Sequence, residues 1–161
     1  MFTKDQFLQI ITSETAYKQN MIYAIDADGK EQRMKNYKDV LANKEKNSIK
    51  IERMEAYNSD IFTHCLELEN KHEHVGPITC HLFYAKENAH SFKEHIDPDD
   101  VIIHCCEGHK TINVNRVPFT IGPKAELHIP ANTPHQAFNE SEALTLSFGL
   151  EGFIEDKILV E

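Results

Sequence analysis

The spacing of apolar residues changes near residue 78. Before it they recur at helical intervals; after it they fall in short runs divided by turn residues. Thr3 and Gln6 form a capping-box pair, and Phe7, Leu8, Ile10 and Ile11 then make one apolar face, which predicts an amphipathic helix from residue 4 to about 18. A strand is expected over 21–25, with a turn at Asp28-Gly29. Residues 36–46 read as a second helix and 48–51 as a short strand. Tyr57, Ile61, Cys65 and Leu68 stand three or four apart, so 54–69 is expected to be a third helix, closed by Gly76-Pro77.

From Ile78 onward the pattern predicts strands at roughly 78–85, 100–106, 110–114, 117–121, 125–129, 134–138 and 143–149. They are broken by Asp97-Pro98, Gly108, Asn115-Arg116 and Gly122-Pro123. Short strands at close intervals with turn residues between them point to a barrel or sandwich. There is no internal repeat or low-complexity tract. The expectation is a single domain over 1–161, mainly β, in which a helical and mixed segment, 1–76, supports a β core over 77–153.

Composition adds limits more than detail. The 161 residues are 40% apolar and 27% charged, with six Gly and six Pro, an ordinary globular balance. Twenty-six acidic against 17 basic residues give a net charge of −9, so phosphate contacts bring little and nucleic acid is an unfavourable partner. No apolar run approaches the length that spans a bilayer. The first residues lack a basic stretch followed by an apolar one, so no signal peptide is expected and the location is read as cytoplasmic. Cys65, Cys80, Cys105 and Cys106 form no CxxC pair and read as reduced, partly buried thiols; the adjacent Cys105 and Cys106 would face opposite sides of a strand.

The chemistry lies in the second half. His95 and Asp97 are two apart, so in extended chain they point to one side while Ile96 turns the other way, into apolar packing. His135 follows the Pro-bounded turn 130–134, and a barrel could bring it beside the first pair. Two imidazoles and a carboxylate can hold one face of an iron(II) ion and leave the other open to co-substrate and O2. An HxD triplet alone is weak in a chain with ten histidines, so its surroundings decide.

Those surroundings resemble the JmjC-type and cupin-like 2-oxoglutarate oxygenases. The family's H-x-D-x-x-D-V, strand, glycine, basic residue pattern is matched without a gap by His95-Ile96-Asp97-Pro98-Asp99-Asp100-Val101 and on through Gly108-His109-Lys110. Its second motif is matched from Gly122 through Leu127-His128-Ile129-Pro130 to His135, with one extra residue after the glycine. Leu144–Leu150 is similar to its final barrel strand. The likeness covers about residues 78–150. It implies a double-stranded β-helix (a cupin-like jelly roll) that takes Fe(II) at His95, Asp97 and His135 and 2-oxoglutarate as co-substrate. Lys110 then pairs with the far carboxylate and Ser147 lies near it. The position where relatives often carry glutamine is Cys105, and the residue three before the first ligand is Phe92, so Tyr84 or Thr111 is left to supply a further carboxylate contact.

The implied reaction is hydroxylation or demethylation of a small-molecule or peptide substrate, with oxidative decarboxylation of 2-oxoglutarate to succinate. Two alternatives stand beside it: a metal cupin using His90, His95 and His135 without 2-oxoglutarate, as an isomerase or dioxygenase, and a non-enzymatic cupin-like binding protein. His72-Glu73-His74 reads as a solvated loop. His104 and His128 could line the barrel interior, although strand histidines more often face solvent or hydrogen-bond locally, and Asp100 is a candidate turn cap. Substrate identity and oligomeric state stay open, a homodimer being one option.

Overall fold

The computed structural model describes residues 1–152. Helix α1 (Lys4–Ile11) begins at the expected capping box: the Thr3 side chain accepts from the Gln6 amide and the Gln6 side chain answers the Thr3 amide. The helix expected to run on to residue 18 breaks at Thr12 and resumes as α2 (Glu14–Lys18). The Thr12 hydroxyl donates back to the carbonyls of Leu8 at 2.9 Å and Gln9 at 3.1 Å, drawing off acceptors at the helix end.

Strand β1 (Ile22–Ile25) turns through Asp26, whose carboxylate accepts from the amides of Asp28 and Lys30, into β2 (Glu31–Arg33). All three β2 residues are exposed, so no alternation marks the strand in the sequence. Helix α3 (Tyr37–Asn43) starts at an Asn36 cap, and β3 (Ser48–Ile51) follows. The expected third helix is divided into α4 (Met54–Tyr57) and α5 (Ser59–His72). Asn58, extended at φ −130°, stops the first and caps the second by accepting from the Ile61 amide.

The second half is the expected run of strands: β4 (Ile78–Ala85), β5 (Asp100–Gly108), β6 (Lys110–Val114), β7 (Val117–Ile121), β8 (Glu126–Ile129), β9 (His135–Phe138) and β10 (Ala143–Leu150). They form two antiparallel sheets, a seven-stranded one in the order β2-β1-β3-β4-β10-β5-β8 and a three-stranded one in the order β7-β6-β9. The larger sheet reaches past the barrel strands into β1, β2 and β3. This is a double-stranded β-helix, the jelly roll of cupin-like proteins. Pro118 sits in β7, an edge strand, where its missing N–H leaves no gap in a ladder.

Strand alternation gives the larger sheet two different faces. Along β5, Val101 and Cys105 join one apolar cluster with Ile112, Ile121 and Ile129, inside the barrel. Ile102 and Cys106 pack instead with Phe7, Ile11, Ile61 and Leu68 of the helices. The two neighbouring cysteines thus face opposite ways, as the alternation requires. A bulge at Cys106, skipped in the pairing of β5 with β10, bends the strand end before Gly108. Gly108 has φ +76°, and a Cβ there would stand 2.0 Å from the Glu142 carbonyl oxygen; only glycine fits this turn into Lys110. Among the described residues no helix is long and apolar enough to cross a membrane.

Candidate metal centre

His95 and Asp97 lie on an extended segment against the free edge of β9. The His95 amide donates to the His135 carbonyl at 3.1 Å and the His135 amide returns the bond at 2.9 Å, an isolated antiparallel bridge. Two residues on from His95, the Asp97 carbonyl accepts from the Asn132 amide at 2.8 Å. Asp100 closes the base: its carboxylate accepts from the Ala131 amide and meets His128 Nε2, both at 2.8 Å. Burial alone raises the Asp100 carboxyl, but these bonds outweigh it and leave it below its ordinary range. Asp100 therefore does brace the turn that delivers His135.

The three side chains converge: a ligating atom from each of His95, Asp97 and His135 lies within 4.8 Å of the other two. Asp97 Oδ2 stands 3.2 Å from His135 Nε2 and 3.7 Å from His95 Nε2. The second nitrogen of each ring is already committed, His95 Nδ1 to the Lys93 carbonyl at 2.8 Å and His135 Nδ1 to the Thr133 carbonyl at 2.9 Å. A carbonyl only accepts, so each Nδ1 carries the proton and each Nε2 offers its lone pair to the shared point. This two-nitrogen, one-carboxylate set, with both tautomers fixed from behind, fits a divalent transition metal held on one face. Ile96 differs from expectation: it is 57% exposed instead of turned into apolar packing.

The triad opens onto a cavity of about 570 Å³ whose wall includes Lys110 and Ser147. Lys110, on β6, is 5% exposed. Its ammonium donates to the Asn139 side-chain oxygen. Asn139 is fixed in turn, its amide donating to the Ala89 carbonyl at 2.8 Å and to the hydroxyls of Ser48 and Ser91. Among the described residues no carboxylate pairs with Lys110, and burial lowers its pKa to about 8. Lys50, on the same wall, is neutralised by Glu31 at 2.5 Å and Glu52 at 3.1 Å. Among the described residues of the wall, Lys110 is thus a buried cation that meets no carboxylate.

Two further residues of the wall, His81 and Phe92, have roles there that were not foreseen. His81, the β4 partner of Ser147, also lines the cavity, and its buried Nδ1 has no hydrogen-bond partner among the described residues. Burial, with the nearby Lys50 charge, lowers its pKa and keeps the ring neutral. Phe92 stacks edge-on against Phe83 and His95, forming an aromatic side to the opening. The sequence signal for His81 was only strand alternation, since odd positions 81 and 83 share the inner face of β4.

Other expected contributors lie elsewhere. Tyr84 points to the opposite side of β4, where it stacks on Phe7 at 4.6 Å and donates to Glu142 at 2.6 Å; it is not part of the cavity wall. Thr111 meets Thr120 at 2.9 Å on an exposed surface. His90 is exposed and outside the wall, its backbone tied to Lys46 and Ser48. His104 and His128 face away from the barrel interior, His104 towards α5 and His128 towards Asp100 and His72.

No family model matches this sequence, and no curated protein does. Among solved structures the chain is similar to YcfD, a ribosomal oxygenase from Escherichia coli, in complex with cobalt and succinic acid. The TM-score is 0.70 at 15% identity, covering 99% of this chain and 46% of that one. The complex of YcfD with cobalt and 2-oxoglutarate gives the same values. This chain therefore spans less than half the length of that oxygenase, and the likeness is one of fold. A cupin 2 barrel domain protein from Leptotrichia buccalis matches over 48% of this chain and 38% of its own, at 22% identity and a TM-score of 0.44.

Proposed function

We propose that this chain is an Fe(II)- and 2-oxoglutarate-dependent oxygenase. The observation that carries the reading is the pairing of an open-faced His95, Asp97, His135 triad with a buried, carboxylate-free Lys110 in one cavity. Bound iron(II) would supply the O2 chemistry that couples decarboxylation of 2-oxoglutarate to succinate with oxidation of a substrate C–H bond.

The rest falls to the chain. His95, Asp97 and His135 would hold the ion, with the Lys93 and Thr133 carbonyls keeping both rings in the ligating tautomer. Lys110 would receive the far carboxylate of the co-substrate, and its charge, costly in isolation, would gain the partner it lacks. Asn139 holds the ammonium in place beforehand. Ser147 and the neutral His81 line the same wall and would contact the co-substrate as uncharged partners. Phe83 and Phe92 would shield the reacting centre from bulk water. The substrate would be a peptide or small molecule, hydroxylated or demethylated according to the carbon it presents.

The exposed position of His90 favours this reading over a three-histidine cupin. Anaerobic titration of the whole chain with Fe(II) and 2-oxoglutarate is the direct test. A weak visible charge-transfer band should need both additions and vanish in Asp97→Ala, and succinate should appear with O2 and a substrate from a peptide and metabolite panel. Metal binding with no band and no 2-oxoglutarate affinity would transfer the assignment to a metal cupin.

A further inference from the structure

On the far side of the larger sheet, three more ligating side chains meet beneath α5. His104 of β5 and Glu126 of β8 are direct cross-strand partners, so their side chains share one face. His64 descends on them from α5. His64 Nε2 lies 2.6 Å from Glu126 Oε2, and His104 Nδ1 lies 3.0 Å from the same oxygen. A ligating atom from each of the three stands within 4.8 Å of the others. The floor is apolar: the fully buried Phe148 ring is 5.0 Å from His64, and the two imidazoles meet edge-on at 5.4 Å.

Proton placement singles this cluster out. Glu67, three residues after His64 on the same helix, lies 3.1 Å from His64 Nδ1 and can only accept there. A neutral His64 with its proton on Nδ1 then turns a bare Nε2 lone pair onto a carboxylate oxygen. A second proton on the ring relieves that contact, and so does a cation between the groups. A cation satisfies His64, His104 and Glu126 together, with Glu67 becoming the outer carboxylate that orients a ligating histidine. Two imidazoles and a carboxylate are a zinc donor set. Zinc bonds of about 2.0–2.2 Å would set neighbouring donors about 3.3 Å apart, so the two contacts with Glu126 need open by less than about 1 Å.

We infer that His64, His104 and Glu126 form a second divalent-metal site, suited to zinc, that clasps α5 to the back of the sheet. The site shares no residue with the cavity and does not depend on the oxygenase reading. Three protein donors leave the fourth position of a tetrahedral zinc to a water, and the ion would still tie α5 to the sheet through His64.

The test removes the front triad first. In full-length His95→Ala/Asp97→Ala protein, both changed side chains being more than a third exposed, equilibrium dialysis against zinc followed by elemental analysis should find one zinc per chain. Zinc should also raise the melting temperature. Adding Glu126→Gln should bring the count to zero and abolish the thermal shift; His104→Ala should do the same, and Glu126→Gln serves if that variant fails to fold. No retained zinc in the starting variant overturns the site, as does a count that stays at one after Glu126→Gln. The oxygenase reading is judged separately, by the iron and 2-oxoglutarate titration of the unmodified chain.

Discussion

His95 and His135 exchange a pair of backbone hydrogen bonds, 3.1 and 2.9 Å, although 40 positions separate them. Both side chains therefore leave the backbone at one bridge, and Asp97 need only reach across from two residues along. Backbone pairing fixes this placement, so removing a side chain should leave the scaffold standing. Asp97→Ala is expected to keep the native circular dichroism and lose iron affinity by more than the roughly 10–100-fold typical of outer-sphere partners. Retained iron binding in a titration would remove the triad from consideration.

Lys110→Met should separate co-substrate binding from metal binding. The buried ammonium has a neutral partner only, so methionine of similar length relieves a desolvation cost while abolishing the charge that a carboxylate requires. The expected result is at least a tenfold weaker 2-oxoglutarate affinity, unchanged Fe(II) affinity, and a melting temperature equal to or above that of the parent. Calorimetry for both ligands and a thermal scan read all three.

The same lysine sets a pH dependence. Burial brings its pKa down to about 8 from the ordinary 10.5. Between those values the unfolded chain binds a proton that the folded chain does not. This group's contribution to stability therefore improves as pH rises through that window, and its penalty is fully present below pH 8. Ligand binding runs the other way, since a dicarboxylate needs the charged amine. Affinity for 2-oxoglutarate should be level below pH 8 and decline towards about tenfold per pH unit above it. Lys110→Arg should push the decline to higher pH, whereas an unchanged profile in that variant would exclude this amine as the anion's partner.

Tyr84→Phe tests the opposite face. Its hydroxyl donates to Glu142 at 2.6 Å, on the helix side of β4. The loss should cost about 1–2 kcal/mol in urea unfolding and leave 2-oxoglutarate affinity untouched. A co-substrate effect would reopen a role for Tyr84 in the cavity.

Gly108→Ala should be among the most damaging single changes. A methyl group there would overlap the Glu142 carbonyl at 2.0 Å, in a left-handed backbone conformation that carries the chain into Lys110. About 1–3 kcal/mol is expected from the backbone conformation alone, read by chemical denaturation. A variant of parental stability would show that the turn can reshape.

Much of this was legible because the relevant signals are local. The Thr3 capping box, the Asp28-Gly29 turn and the strand-and-turn texture after Ile78 each depend on neighbours in sequence, and each appears as expected. The spacing of His95 and Asp97 directed both side chains to one side for the same reason. What escaped depends on long-range partners. Tyr84 and His81 both belong to β4, and only the pairing of that strand with β10 and β3 decides which of its faces meets the cavity. Asn139 carries no motif, and its part emerges only when three distant segments, at Ser48, Ala89 to Ser91 and Lys110, are folded around it. Helix breaks at Thr12 and Asn58 were readable in principle, since both residues compete with the helix backbone through their side chains.

Strand β5 serves both faces of the sheet, with Val101, Ile103 and Cys105 turned inward and Ile102 and His104 outward. Parity of position is thus the whole difference between a cavity wall and a helix seat. Deleting one residue from this stretch would swap every assignment together, driving an imidazole into the barrel and aliphatic groups against Glu126. Point substitutions here can be graded in severity, but a change of length cannot; insertions and deletions should be rejected throughout the strand.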